Sequence, residues 1–223
     1  MIVLSLFIAA ALGYLLGSVN SAIIVVRLLK HEDIREFGSG NAGLTNTLRC
    51  FGKTCALLTL IGDLGKGVLA VILSRIVANA LTGGTADLFM IGCMAGIFAI
   101  IGHVFPLYYG FKGGKGVLVG VSIFLVIDWK VFIVLIGIFA IILAISKYVS
   151  LASIIAAACC PVLVTLEHIF LVTNPAYTPL QIAVHFVLTG IMAGMVIFMH
   201  RSNIERLKNG TERKFGEKKD RQE

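Results

Sequence analysis

The chain has 223 residues, of which 58% are hydrophobic and 14% are charged. A soluble domain of this length carries far more charged surface, so the composition excludes a soluble globular enzyme and indicates a membrane protein. The formal net charge of +7 would suit a nucleic-acid partner, but the basic residues lie between apolar segments, so we expect no nucleic-acid binding. The predicted fold class is an all-α integral membrane protein, a helix bundle in direct contact with the lipid bilayer.

Apolar segments follow one another along the chain. A helix that spans a bilayer needs roughly 20 mainly apolar residues, and six runs meet or approach that length: 2–26, 55–77, 88–109, 131–145, 151–172 and 180–199. A shorter run at 117–127 predicts either a short fourth span or one arm of a re-entrant hairpin with 131–145. We therefore predict about seven transmembrane helices in a single domain at 1–200, followed by a basic cytoplasmic tail at 201–223.

The positions of the basic residues predict the orientation. Most of the 19 lysines and arginines lie in the first, third and fifth connections and in the tail. Because cytoplasmic loops carry the excess of Lys and Arg, these parts are expected in the cytoplasm, the N-terminus outside and the C-terminus inside. A re-entrant hairpin at 117–145 would leave the sides of all other loops unchanged.

The first polar connection has the composition of a ligand loop. Glycines that permit close backbone approach alternate there with amides and hydroxyls: Gly38, Ser39, Gly40, Asn41, Gly43, Thr45 and Asn46. Successive backbone N–H groups in such a loop can form an anion-binding nest, and a helix that starts near Thr45 would add positive charge. Arg49, one turn further on, can fork onto a phosphate. An ordinary turn-rich loop is the alternative.

The second polar connection also suits phosphate. It contains Lys112, Gly113, Gly114 and Lys115, preceded by His103. It is not a nucleotide-binding P-loop, because Gly116 stands where Ser or Thr would hold Mg²⁺. The alternative is a basic cap for lipid headgroups, which would not need a tight glycine turn. His103, at a helix end, is either a ligand or a hydrogen-bonded structural residue.

Two further polar groups accompany these loops. Asp63 and Lys66, at i and i+3 within the second span, predict a buried ion pair that is structural rather than catalytic. His200, Asn203 and Arg206 share one helix face after the last span and can converge on an anion, although a solvated tail is the alternative. Ser150 and Ser153 begin the sixth span on the same side, and capping alone would explain one of them.

Together these segments resemble the acyl-phosphate-dependent glycerol-3-phosphate acyltransferases of bacteria, the PlsY family. Motifs that begin at Gly38, Gly102 and His200 match that family in order, over nearly the whole chain. The resemblance implies transfer of the acyl group of a fatty acyl phosphate to the 1-hydroxyl of glycerol 3-phosphate. The products would be 1-acylglycerol 3-phosphate (lysophosphatidic acid) and phosphate, in the first step of phospholipid synthesis at the cytoplasmic face of the inner membrane. It implies neither cofactor nor metal, and no use of acyl-CoA or acyl carrier protein.

The resulting hypothesis assigns residues to two sets. The catalytic set is Ser39, Arg49, Lys112, His200 and Asn203, of which all but Ser39 are assigned to phosphate. The substrate-binding set is Gly38, Gly40, Asn41, Gly43, Thr45, Asn46, His103, Gly113, Gly114, Lys115, Ser150, Ser153 and Arg206. The base is either His200 or a phosphate oxygen of a substrate, and an acyl-enzyme on Ser39 or a cysteine is a further alternative.

Two other functions are compatible with a polytopic membrane protein. A transporter of a phosphorylated metabolite predicts polar groups on both membrane faces and paired helix breaks. In the sequence, the polar motifs cluster on one face and no internal repeat is visible. A lipid-binding structural subunit would not require several glycine-rich anion sites.

Overall fold

The computed structural model describes residues 1–170 and 177–216. Within them the chain is helical and contains no strand. The α-helices are α1 (Ile2–Gly17), α2 (Ser21–Lys30), α3 (Leu44–Thr82), α4 (Leu88–Val104), α5 (Val117–Ile127), α6 (Trp129–Ser146), α7 (Val149–Phe170), α8 (Pro179–Met199) and α9 (Arg201–Lys208). Short 3-10 helices at Ile34–Glu36 and Leu107–Tyr109 interrupt two of the connections.

The described residues contain six helical segments long and apolar enough to cross a membrane: Ile2–Lys30, Leu44–Thr82, Leu88–Tyr109, Trp129–Ser146, Val149–Phe170 and Pro179–Met199. Each contains one of the long apolar runs, so the all-α membrane fold is confirmed. The last two residues of the predicted run 151–172, and residues 217–223 of the predicted tail, lie outside the described residues.

The remaining predicted segment is α5, a helix of 11 residues. At 1.5 Å per residue it is about 16 Å long, about half the hydrocarbon thickness of a bilayer. Val117 at its start lines a cavity at one end of the bundle, whereas Asp128 just beyond its end lies beside His168, near the far end of α7. Helix α6 then returns towards the cavity. Helices α5 and α6 thus run in opposite directions along the bundle, and the short span remains a prediction beside the re-entrant hairpin.

Small residues bring α1 and α4 into close contact. Gly13 and Gly17 of α1 face the backbone of Ala95 and Ala99 of α4, and a β-carbon at either glycine would overlap that backbone. Gly102 approaches the backbone of α1 in the same way. Such small-residue contacts are the usual means by which membrane helices approach closely, since burial of apolar groups gains little in lipid. The contact fixes the end of α4, where His103 lies.

Helix α3 begins where the sequence predicts and is bent soon afterwards. Its N-cap is Gly43, and the expected helix start near Thr45 is therefore confirmed. Gly52 has φ 81° and ψ −174°, a left-handed conformation that interrupts the helix. The eight residues before the break form a separate short helix at the edge of the bundle. The longer part after it contains the predicted span 55–77.

Candidate active site

A polar cavity of about 350 Å³ opens at one end of the bundle. Its walls come from parts of the chain that are distant in sequence: the first connection, the start of α5, the start of α7 and the segment after α8. Most of the predicted site residues line it: Gly38, Ser39, Asn41, Gly43, Thr45, Asn46, Arg49, His103, Lys115, Ser150, Ser153, His200, Asn203 and Arg206. The structure does not bring Gly40, Lys112, Gly113 or Gly114 into this lining.

Asn46 holds the first polar connection, which forms one wall of the cavity, in its conformation. Its side-chain oxygen accepts a hydrogen bond from the Ser39 N–H at 3.0 Å, and its amide donates to the Phe37 carbonyl at 2.9 Å. Gly38 has φ 62°, and a β-carbon there would meet the Asn46 side chain. Asn46 therefore holds the glycine turn in place, which differs from the direct substrate contact predicted for it.

The expected backbone nest in this loop is not formed. The N–H of Gly40 donates to the Phe37 carbonyl at 3.0 Å, that of Ala42 to the Gly113 carbonyl at 3.4 Å, and that of Gly43 to the Asn41 carbonyl at 3.0 Å. The loop uses these amides to close its own turns, so they are occupied. The first turn of α3, which has no capping side chain, instead places N–H groups and a partial positive charge at the cavity.

Arg35 joins the first polar connection to the second polar connection. Arg35 bonds the Asp33 carboxylate at 2.7 Å and donates to the Tyr109 carbonyl at 2.6 Å. The hydrogen bond from Arg35 holds the pKa of Asp33 well below its usual range, against the opposing effect of burial. The charged pair therefore stays intact over the physiological pH range and fixes one loop against the other.

The glycines of the second polar connection allow that loop to pack against the end of α4. Gly113 donates its N–H to the Val104 carbonyl and Gly114 to the His103 carbonyl, each at 3.1 Å. A β-carbon at either glycine would overlap His103. These glycines are therefore packing residues, and their amides are not available to phosphate as predicted. Lys112, next to them, is exposed.

Lys115 is the lysine of this connection that reaches the cavity. Its ammonium donates a hydrogen bond to the Asn203 side-chain oxygen. Burial lowers the pKa of Lys115 to about 8, the nearby Arg206 acts in the same direction, and Glu212 opposes both. Lys115 is therefore mostly cationic at pH 7 and loses its charge only slightly above it.

A buried polar triad lies at the floor of the cavity. The Lys66 ammonium is 2.9 Å from Asp63 and 2.8 Å from His103 Nδ1, and it donates to the Val19 carbonyl at 2.8 Å. The contact confirms the predicted ion pair. Because a lysine ammonium can only donate, His103 Nδ1 accepts, and the ring carries its proton on Nε2. His103 is thus both a structural residue and a possible hydrogen-bond donor towards the cavity.

Glu212 binds the polar side chains of the cavity wall that is formed by the start of α7 and the segment after α8. Its carboxylate accepts hydrogen bonds from Ser150 at 2.7 Å, Asn203 at 2.6 Å and Arg206 at 2.7 Å. Burial opposes its ionisation, but these three hydrogen bonds outweigh it and hold the pKa of Glu212 below the usual value. The predicted ligands Ser150, Asn203 and Arg206 are therefore held in register by one carboxylate.

His200 has a defined tautomer. Its Nδ1 lies 2.7 Å from the Val196 carbonyl, which can only accept, so Nδ1 carries the proton and Nε2 carries the lone pair. Burial lowers the pKa of His200 below its usual value, which favours the neutral ring at pH 7. A neutral His200 with an unprotonated Nε2 can accept a proton or a hydroxyl hydrogen bond, and its predicted contact with phosphate stays a prediction.

An apolar compartment of about 120 Å³ adjoins the polar cavity. The two share Val117, Leu118, Phe139 and Ser153 in their linings. Beyond these residues the compartment continues between α5, α6, α7 and α8 and is lined by carbon atoms, including those of Ala156. A ligand with a charged head and an alkyl chain fits this pair of spaces.

Some residues of the cavity lining are not predicted by the sequence. Glu212 lies in the motif that begins at His200, but a lone carboxylate in a basic segment does not itself indicate a site. Arg213 and Phe215 also line the cavity, and the Phe215 N–H donates to the Lys147 carbonyl at 2.7 Å. The segment predicted as a basic cytoplasmic tail thus folds back over the cavity as far as Phe215. Only its tertiary contacts indicate this.

The sequence is related to known acyltransferases over nearly its whole length. It matches the family model for glycerol-3-phosphate acyltransferase over residues 7–210. It is 38% identical over 218 residues to the glycerol-3-phosphate acyltransferase of Clostridioides difficile (strain 630), covering 98% of this chain and 99% of that protein. It is 39% identical over 215 residues to that of Synechococcus sp. (strain CC9902), covering 96% and 98% of the two chains.

Solved structures agree with these relatives. The fold is similar to that of PlsY (YgiH), an integral membrane glycerol 3-phosphate acyltransferase crystallised in its glycerol 3-phosphate form, with a TM-score of 0.79 and 27% identity over 95% of this chain and 96% of that one. The lysophosphatidic acid form of PlsY gives a TM-score of 0.77 and 26% identity, with the same coverage. The chain is therefore an integral membrane protein and belongs to the glycerol-3-phosphate acyltransferase family.

Proposed function

We propose that this protein transfers the acyl group of a fatty acyl phosphate to the 1-hydroxyl of glycerol 3-phosphate, with release of lysophosphatidic acid and phosphate. The observation that carries the proposal is the adjacency of the two spaces: a polar cavity with cationic side chains and an apolar compartment share Val117, Leu118 and Phe139 in their linings. An acyl phosphate has one charged end and one alkyl chain, so it fills both spaces. Glycerol 3-phosphate is small and polar and needs only the cavity.

The cationic side chains suit two phosphates. Arg49 lies on the wall formed by α3, and Lys115 and Arg206 lie on the opposite side around Glu212. Guanidinium groups bind phosphate through paired hydrogen bonds, and the uncapped first turn of α3 adds N–H donors to the same wall. We assign one phosphate to Arg49 with Ser39 and Thr45, and the other to Lys115 with Arg206.

The reaction needs orientation more than strong activation, because an acyl phosphate already contains a good leaving group. The 1-hydroxyl oxygen attacks the acyl carbonyl carbon, the bond from that carbon to the phosphate oxygen breaks, and phosphate leaves with the bonding electrons. We assign the hydroxyl proton to His200 Nε2, since the tautomer of that ring supports a proton acceptor. A phosphate oxygen of the substrate is the alternative acceptor. Donors from Asn41 and Asn203 would stabilise the oxyanion.

We still propose, from the sequence alone, that Lys112 binds phosphate. Its side chain is exposed, and in this structure Lys115 is the lysine of the second connection that lines the cavity. The two lysines can be separated by mutation. The proposed location is the bacterial inner membrane, with the cavity at the cytoplasmic face, where the basic connections are expected.

The test is phosphate release by detergent-purified protein supplied with glycerol 3-phosphate and palmitoyl phosphate, with palmitoyl-CoA as the comparison donor. We expect release that depends on glycerol 3-phosphate, a lysophosphatidic acid product and no turnover of the CoA thioester. Turnover of palmitoyl-CoA would contradict the donor assignment. A well-folded protein that turns over neither donor would contradict the proposed reaction and favour transport of a phosphorylated metabolite.

A further inference from the structure

The buried contact between Lys66 and His103 lies at the floor of the polar cavity. Lys66, Asp63 and His103 are only 6%, 1% and 3% exposed, and Asp63 and His103 line the cavity. Ionisable groups inside a membrane bundle are costly, and their presence there indicates a function. The ion pair of Lys66 with Asp63 accounts for two of these groups, but it does not explain the histidine beside them.

The surroundings of Lys66 occupy all of its hydrogen-bond donors. A lysine ammonium has three N–H donors and no acceptor. The three acceptors near Nζ are Asp63 Oδ1 at 2.9 Å, the Val19 carbonyl oxygen at 2.8 Å and His103 Nδ1 at 2.8 Å. Val19 lies in the break between α1 and α2. Each N–H of Lys66 therefore has its own acceptor, and one of the three is the imidazole.

This contact determines which nitrogen of His103 carries the proton. Because Nδ1 accepts from the ammonium, the neutral ring has its N–H on Nε2. A second proton on Nδ1 would point at the Lys66 ammonium and is therefore disfavoured. His103 is thus a neutral donor, in contrast to Arg49, Lys115 and Arg206, which bring positive charge to the same cavity.

The space beside His103 Nε2 is open because residue 114 is a glycine. A β-carbon at Gly114 would overlap Nε2, so any other residue there would cover this donor. Among the described residues Nε2 has no hydrogen-bond partner, and it is not sealed in the protein as the unpartnered ring nitrogens of His168 and His185 are. Its N–H is therefore available to a ligand at the floor of the cavity.

We propose that His103 Nε2 donates a hydrogen bond to the 2-hydroxyl oxygen of glycerol 3-phosphate, and that Lys66 is the positioning residue that keeps the proton on Nε2. This inference rests on the proposed function. The phosphate of glycerol 3-phosphate needs the cationic side chains, and its 1-hydroxyl needs the acceptor on His200. The 2-hydroxyl is the polar group that remains, and a neutral donor suits it. His103 thus selects the acceptor substrate, since a site that binds a hydroxyl rejects an analogue without one.

The experiment compares glycerol 3-phosphate with 3-hydroxypropyl phosphate, which lacks the 2-hydroxyl, as acceptors of the acyl group of palmitoyl phosphate. In the unmodified protein kcat/KM should be higher for glycerol 3-phosphate by about 10- to 100-fold, the effect of leaving one buried donor unpaired. His103→Phe has a ring without a donor and should lose this preference. His103→Gln restores an N–H and should retain part of it.

A second readout reports on Lys66 independently of turnover. In ¹⁵N NMR spectra of histidine-labelled protein, the two tautomers of an imidazole give different nitrogen shifts, and the His103 signals are those absent from His103→Phe. We expect the Nε2-protonated form in the unmodified protein. In Lys66→Met the Nδ1 atom loses its donor, so the ring should become a mixture of tautomers and the preference for glycerol 3-phosphate should fall.

Lys130→Met is the matched control for Lys66→Met. Lys130 belongs to a second ionisable cluster, at the end of the bundle opposite the cavity, and its ammonium lies 3.0 Å from the buried Glu167. The other members of this cluster are Asp87, Asp128, His168 and His185. Lys130→Met thus also removes an ammonium from a buried carboxylate, but it should leave the His103 signals and the acceptor preference unchanged.

Three results would overturn the inference. They are equal kcat/KM for the two acceptors in the unmodified protein, an unchanged preference in folded His103→Phe, and a Lys66→Met variant that keeps both the tautomer and the preference. Where Lys66→Met does not fold, an Nδ1-protonated His103 in the unmodified protein would overturn the role of Lys66. Failure of the unmodified protein to use either acceptor would instead contradict the proposed function.

Discussion

The two ends of this bundle are both polar, but they are built in different ways. At the cavity end, glycine-rich connections fold over the helix ends, and charged side chains surround a space of about 350 Å³. At the other end, the rings of Phe89, His168, Tyr177 and His185 pack against one another, with centroids 4.3 to 6.3 Å apart. Glycine thus makes room for a ligand at one end, while aromatic packing fills the space at the other.

The comparison also corrects an expectation from the sequence. The polar motifs cluster on one face, and this argued against a transporter. The structure places a second ionisable cluster at the opposite end, formed by residues that occur singly in apolar segments. Because both ends of the bundle are polar, it is the family and the geometry of the cavity that favour acyl transfer over transport.

The largest expected effect is at Arg49. Arg49→Ala should reduce phosphate release by about 10³-fold or more, because it removes a positive charge from the wall of the cavity. Turnover is measured with palmitoyl phosphate and glycerol 3-phosphate. Arg201→Ala is the control, since Arg201 is exposed and lies against the Phe198 ring. Full activity of a folded Arg49→Ala variant would remove this residue from the site.

The second comparison is between the two lysines of one loop. Lys115→Ala should lower kcat/KM for glycerol 3-phosphate by about 10²-fold, because Lys115 lines the cavity and bonds Asn203. The sequence hypothesis predicts a loss of several orders of magnitude for Lys112→Ala, whereas the exposed position of Lys112 predicts a smaller one. A larger loss in Lys112→Ala than in Lys115→Ala would place the phosphate against Lys112 and contradict the structural assignment.

A third prediction concerns the apolar compartment. Ala156→Phe fills space in its lining and should raise KM for palmitoyl phosphate by about 10-fold, in line with loss of a few buried methylene groups. Acetyl phosphate, which has no long chain, should be affected far less. Ala158→Phe is the matched control, because Ala158 lies on the same helix and is exposed. Equal effects on long and short donors would show that the compartment does not hold the acyl chain.

A smaller effect is expected on the pH dependence of kcat/KM. The pKa of Lys115 is lowered to about 8 by burial, so its positive charge is present below that pH and lost above it. If the charged form binds phosphate, kcat/KM should fall above about pH 8, at most about 10-fold per pH unit. Lys115→Arg keeps the charge at all accessible pH values, so the fall in kcat/KM should move to higher pH. If kcat/KM of Lys115→Arg falls over the same pH range as that of the unmodified protein, the fall is caused by another group.

The smallest effect is expected at the opposite end. Asp87→Asn removes a carboxylate that bonds His185 and Gln181, and turnover at pH 7 should stay within about twofold of the unmodified protein, because the residue is remote from the cavity. The pKa of Asp87 is lowered to about 2, since hydrogen bonds led by that from His185 outweigh burial. Some loss of thermal stability is therefore expected, measured by a melting curve. A large loss of turnover without loss of stability would show that the two ends are coupled.

Local sequence features were enough to predict much of this protein. Apolar length predicted the membrane helices, because a bilayer requires each span to satisfy its own backbone. The i, i+3 spacing predicted the Asp63–Lys66 pair, and the motif order predicted the family. These features are periodic or contiguous, so they can be read without knowledge of which helices touch.

The tertiary structure decided what individual side chains do. Gly113 and Gly114 serve the close approach to His103, Asn46 closes its own loop, and His200 presents an acceptor because Val196 occupies its other nitrogen. The same holds for Glu212 and for the cluster around His168, whose partners are distant in the chain. Composition and periodicity determine which segments enter the membrane, whereas hydrogen-bond partners depend on distances between helices that no local pattern encodes.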